Sequence, residues 1–155
     1  MSAENMALLE KRYRTTIYIV LAQIAVTLIL IAAALFIVKT TETGPATESL
    51  MPLWVGLLFI AVGSFLLRRM FFNWERLKNI ALLRGVPGLL GTLQTNSIIL
   101  GAMAEIIAII GFLIATFSGN SGDMLRAGAI ALVIFLINFP RKSIWKKIVA
   151  NLERV

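Results

Sequence analysis

The sequence predicts an all-α integral membrane protein: four transmembrane helices in a bundle, with a short amphipathic helix at the C-terminus. Three observations carry this. Of 155 residues, 59% are hydrophobic and only 15% are charged, with a mean hydropathy of +0.88. A water-soluble domain carries about 25% charged residues, so this much apolar side chain needs a bilayer as part of its solvent. Four runs approach the length of about 20 apolar residues that a spanning helix requires. Lysine and arginine, finally, are distributed very unevenly between the segments that join those runs.

The first run covers about residues 16–38 (TIYIVLAQIAVTLILIAAALFIV). Its apolar core exceeds the 7–15 residues of a secretory signal and no A-x-A site follows, so it is read as a retained span. The polar stretch TTETGPATES after it reads as a short external loop. The second run, about 50–67, begins around Pro52, and proline suits a first helical turn because its missing N–H removes no bond there. Residues 68–96 are expected as a loop, its first part continuing the second helix as far as the breaker GVPG. The third run covers about 97–117 and the fourth about 124–139. In the tail, 140–155, Ile144, Trp145, Ile148, Val149 and Leu152 repeat at helical spacing. That pattern predicts a helix lying along lipid headgroups. The chain therefore reads as one membrane domain, 1–155.

Thirteen of the fifteen lysines and arginines fall before the first run, between the second and third, or after the fourth, leaving Lys39 and Arg126 on the other side. The positive-inside rule then puts both termini and the 68–96 segment in the cytoplasm. Arg68, Arg69, Arg141, Lys142, Lys146 and Lys147 flank the spans and are candidates to contact anionic headgroups. The basic residues, which give a net charge of +7, are split over three membrane-flanking segments with no compact module to organise them. Nucleic acid is therefore not an expected partner. A bacterial inner membrane is the expected location.

The chain has no cysteine and no histidine, which removes thiolate metal sites, cysteine nucleophiles, histidine ligands and the Ser-His-Asp arrangement. No catalytic residue, metal or cofactor is expected. One acid lies deep in a span: Glu105, within LGAMAEIIAIIGFLIA. An ionised carboxylate there costs roughly 3 kcal/mol or more, so the side chain is expected to be protonated, paired or hydrated. On a helical wheel Ser97, Gly101, Ala104, Ala108, Gly111 and Ala115 form one face, a small-residue stripe that lets another helix approach closely. Glu105 sits at its edge. Gln23 lies at a matching depth in the first run and is the expected hydrogen-bond partner, with Thr27 one turn further on.

The stretch RGVPGLLGTLQTNSIILGAMAEIIAIIGFLIA resembles the loop and second helix of the c-type proteolipids of rotary ATP synthases. Arg84, Pro87, Gly101, Glu105, Ile109, Gly111 and Ala115 match that family's pattern in kind. The resemblance covers about residues 84–115 and implies that Glu105 is a proton-carrying carboxylate. The second run departs from the family, with only Gly56 and Gly63 among Leu, Phe and Trp. The C-terminal half, with FPRKSIW after the fourth run, also resembles small four-helix bacterial membrane proteins of unassigned function. Two functions are therefore expected to compete. In the first, the chain is a non-enzymatic bundle acting through packing, as an accessory subunit or by self-association. In the second, it handles protons or cations through Glu105.

Overall fold

The computed structural model describes residues 3–40 and 50–152. Residues 41–49, where the polar loop is expected, and 153–155, with Arg154, lie outside the described residues. Five helices follow in order: α1 (Ala3–Thr40), α2 (Met51–Phe71), α3 (Trp74–Ser118), α4 (Ser121–Asn138) and α5 (Lys142–Leu152). Four helical segments, starting at Ala3, Met51, Trp74 and Ser121, are long and apolar enough to cross a membrane.

α1 contains 38 residues, a rise of about 57 Å against a hydrocarbon core of about 30 Å. Its inward residues are Leu9, Tyr13, Thr16, Val20, Gln23, Thr27, Leu30 and Ala34, all buried or half-buried and spaced alternately four and three apart. That average of 3.5 residues is the repeat of left-handed helix pairing. The seam is more polar than the rest of the span, whose outward positions include Leu28, Ile29 and Phe36, half or more exposed. Polarity here is inverted relative to a helix in water.

α3 supplies the matching surface. The sequence expects residues 68–96 to join the spans, their first part continuing the second helix as far as GVPG, and the structure corrects the boundaries. α2 stops at Phe71, and Asn73 caps a new helix by accepting a hydrogen bond from the Glu75 N–H at 3.0 Å. Gly85, at φ 63°, breaks α3 into two arms, a backbone conformation that glycine adopts without a Cβ penalty. Pro87 follows in the first turn of the second arm, where its ring displaces no hydrogen bond. The spanning arm thus begins about ten residues before the expected boundary. The buried Asn96 donates to the Phe71 carbonyl at 3.2 Å, satisfying a carbonyl that the end of α2 leaves unpaired.

The stripe of Ser97, Gly101, Ala104, Ala108, Gly111 and Ala115 is buried along its whole length. α1 lies parallel to α3. Arg12 donates to Gln94 at 2.9 Å near one end, the Gln23 head sits over Gly101, and Ala34 clusters with Ala115 near the other. α4 returns antiparallel after a turn closed by Gly119 at φ 64° and capped by Asn120. A side chain on Gly111 would collide with Ala127, and a Cβ on Gly128 would lie 2.7 Å from Ile31. α2 is peripheral: it buries only Leu57, Ala61 and Ser64.

Two cores result. One lies among the spans, around Leu57, Ile107, Ala108, Ile114, Ala127 and Ile134. The other forms at the arginine-rich end, where Leu9 of α1, Leu77, Leu89, Leu90 and Leu93 of α3, and α5 come together. The second core corrects the reading of the tail. The stripe expected to lie on headgroups is turned into protein: Trp145 is 1% exposed, Val149 0% and Leu152 5%. Only Ile144, 40% exposed, stays at the surface. Trp145 is therefore no interface anchor, and it meets Tyr13 edge-on with ring centroids 5.7 Å apart. Tyr13 donates to the Pro140 carbonyl at 3.3 Å, and Lys142 pairs with Glu10, tying α1 to the start of α5.

Trp145→Ala is expected to lower stability by about 3–5 kcal/mol, as truncation of a fully buried aromatic does. Trp74→Ala, removing a side chain that is half exposed, should shift it by less than a third of that. Gly111→Val should cost about 1–3 kcal/mol through overpacking against Ala127. Thermal unfolding in detergent reads all three.

Candidate functional site

The α1–α3 seam carries the deepest polar groups. Gln23 is half-buried, and its Nε2 donates to the Ile98 carbonyl at 3.4 Å. Its Oε1 is buried and has no partner among the described residues. The expected hydrogen bond from Gln23 to Glu105 is not formed among them. Helical side chains lean toward their own N-terminus, and α1 and α3 run in the same direction. Gln23 therefore reaches back to the level of Ile98 and Gly101, where the missing side chain of Gly101 makes room for its head.

Glu105 is half-buried and makes no hydrogen bond or ion pair among the described residues. On the helical wheel it shares a flank with Gln94, Ile98 and Phe112, the side of α3 that meets α1. The register explains what lies opposite. One turn past Gln23 comes the next inward residue of α1, which the pairing of Ala34 with Ala115 sets near the level of Ala108. That residue is Thr27. It is 0% exposed, and its hydroxyl has no partner. Thr16, Thr92 and Thr116 each donate to the carbonyl four residues back, at 2.8, 3.0 and 3.0 Å, the usual resolution for a hydroxyl inside a helix. Thr27 does not.

Other polar groups near the spans are satisfied locally. Ser64 donates to the Ala61 carbonyl at 2.7 Å and Ser97 to that of Leu93 at 2.9 Å. Two buried polar atoms on the inward face of α1 are thus left without a partner among the described residues, the Thr27 hydroxyl and the Gln23 carbonyl oxygen, while Glu105 lies half-buried on α3. Sequence reasoning placed Gln23 and Glu105 at one depth and named Thr27 one turn further on, but did not expect its hydroxyl to be unpartnered, because threonine in an apolar helix ordinarily bonds to its own backbone. The seven-residue repeat of Tyr13, Val20, Thr27 and Ala34 was the available signal.

Of the basic candidates, Arg68 is half-buried at the end of α2 and donates through Nη1 to the Ile137 carbonyl and to Asn138 Oδ1. A cation there also suits the negative end of the α4 dipole. Lys142 is committed to Glu10. Arg69, Arg141, Lys146 and Lys147 are exposed. Among the described residues no three His, Cys, Asp or Glu side chains are grouped to hold a metal.

Thr27→Val is expected to leave stability unchanged or to raise it by up to about 1 kcal/mol, since it removes an unpartnered hydroxyl from an apolar seam. A loss above 1 kcal/mol would mean that the hydroxyl has a partner. Gln23→Met should change stability by less than about 1 kcal/mol, the scale of hydrogen bonds between membrane helices. No protein-family model, curated protein or solved structure matches this chain, so the function of the seam is argued from its residues and their placement.

Proposed function

We propose that this is a non-enzymatic integral membrane protein that acts through helix packing, as an accessory or structural subunit of a larger membrane assembly. In this reading it resides in a bacterial inner membrane, with both termini cytoplasmic and its basic flanks against anionic headgroups. One observation carries the proposal. The small-residue stripe of α3 is occupied within the chain, by α1 at Gly101 and by α4 at Gly111, and a single acid, Glu105, lies deep among the spans. Chemistry by paired acid and base groups has no second member there. A bundle whose small-residue stripe is closed by its own helices suits a role in which shape and surface do the work. Association with other chains, including further copies, would then use the outer faces of α1 and α2, where Phe36 and Phe59 are exposed.

A second reading has its own support: proton handling by Glu105, as the resemblance to proteolipids implies. Glu105 is half-buried on the flank of α3 that meets α1, and α1 carries an unpartnered Thr27 hydroxyl and Gln23 carbonyl oxygen on its inward face. An acid within a span is a functional candidate by default.

Carbodiimide modification separates the two. On the packing reading, Glu105 in the detergent-solubilised protein labels slowly at mildly acidic pH, and Glu105→Gln leaves thermal stability within about 1 kcal/mol and the size of the native complex unchanged. Rapid labelling that disappears in Glu105→Gln, together with loss of proton flux in vesicles, would replace packing by proton handling. Purification in mild detergent as an isolated monomer, with no larger complex, would remove the accessory-subunit role.

A further inference from the structure

A cavity of about 240 Å³ opens between the two cores, where the spans meet the arginine-rich end. Its interior wall includes Leu77 and Trp145, each 1% exposed, together with Phe139. Its mouth carries Ile144, exposed on α5, with Arg68 and Arg141. The lining contains no acidic residue. An apolar interior beneath two guanidinium groups is the profile of a site for an anionic amphiphile.

We infer that this cavity binds one anionic phospholipid from the surrounding leaflet, its phosphate held between Arg68 and Arg141 and the upper part of one acyl chain lying against Trp145 and Phe139. Arg68 is pre-organised for this. Its Nη1 is fixed to the Ile137 carbonyl and Asn138, which leaves the other donors of the planar fork to meet a phosphate. Immobilising a long side chain in advance removes an entropic cost from binding. Arg141 immediately precedes α5, so a phosphate beside it also meets the positive end of that helix. The volume falls below the 300–1,000 Å³ of sites that enclose a whole small molecule, which suits a ligand whose remaining length stays in the bilayer. A free phosphate ion would leave the apolar wall unused. A zwitterionic lipid would bring a second cation toward two arginines. The site rests on the membrane placement of the chain and is independent of the role of Glu105.

Native mass spectrometry of the detergent-solubilised full chain tests it, with dioleoylphosphatidylglycerol and dioleoylphosphatidylcholine as probes. One phosphatidylglycerol should be retained in preference to phosphatidylcholine by about tenfold, the scale of one charge-assisted hydrogen bond. Arg141→Gln should abolish that preference. Ile144→Trp, which narrows the mouth without changing charge, should reduce retention of both lipids. Lys147→Gln, exposed and outside the cavity lining, should change neither. These variants leave the anchoring contact of Arg68 intact, so the test does not depend on its replacement. Equal retention of the two lipids, or no effect of both Arg141→Gln and Ile144→Trp, would overturn the site. Displacement by glycerol 3-phosphate at equal concentration would overturn the lipid in favour of a soluble phosphate ester. A chain that inserts into vesicles yet retains no phosphatidylglycerol overturns the site alone. A chain that fails to insert overturns the membrane placement beneath it.

Discussion

The close approach of α3 to its neighbours is the contact on which the rest of the bundle depends. Between helices in a bilayer, hydrophobicity offers no net drive, because lipid tails are as apolar as leucine. What remains is dispersion, which requires surfaces to meet within contact distance. Gly101 and Gly111 provide that approach on the two flanks of α3: the first admits the Gln23 head, the second the methyl of Ala127. α1 and α4 are thereby held against a common partner, and α4 carries α5 behind it. α2, which packs through Leu57, Ala61 and Ser64, adds a fourth helix to an arrangement that the other three already define.

At the arginine-rich end the physics changes. There α1 and α3 run on past the spans, and their leucines meet the apolar face of α5 in a small core that also buries Trp145. Ordinary hydrophobic burial operates again wherever water surrounds a cluster. Polar contacts from Tyr13 to Pro140 and from Glu10 to Lys142 close its edge. The cavity under Arg68 and Arg141 lies at the junction, where the packing rules of the two cores meet and neither fills the space.

Most of the architecture was legible because a spanning helix announces itself by length and composition. The residues of α3 that touch other helices were legible too, since small side chains at alternating spacings of four and three have few other uses. Three things were not. The segment from Trp74 to Arg84 was expected to be helical, but that it begins a new helix instead of continuing α2 depends on one capping asparagine, Asn73. The face of α5 was found, but an amphipathic stripe is equally satisfied by lipid or by leucines from distant segments, and only the placement of Leu9, Leu77 and Leu90 decides which. The pairing of Gln23 required the lean of helical side chains as well as depth. Matching depth alone selected Glu105, whereas the lean and the gap at Gly101 direct the amide to Ile98.

The second core joins residue 9 to residue 152, nearly the whole chain apart. Contacts between segments so distant form late, because the intervening chain must first be ordered. During synthesis α1 emerges first, with Thr16, Gln23 and Thr27 facing outward and no α3 to cover them. It then waits until α3, α4 and finally α5 have been made. Among the described helices, the seam of α1 is thus the one left uncovered longest. Its small, weakly polar residues can tolerate lipid during that wait in a way that a row of charges would not.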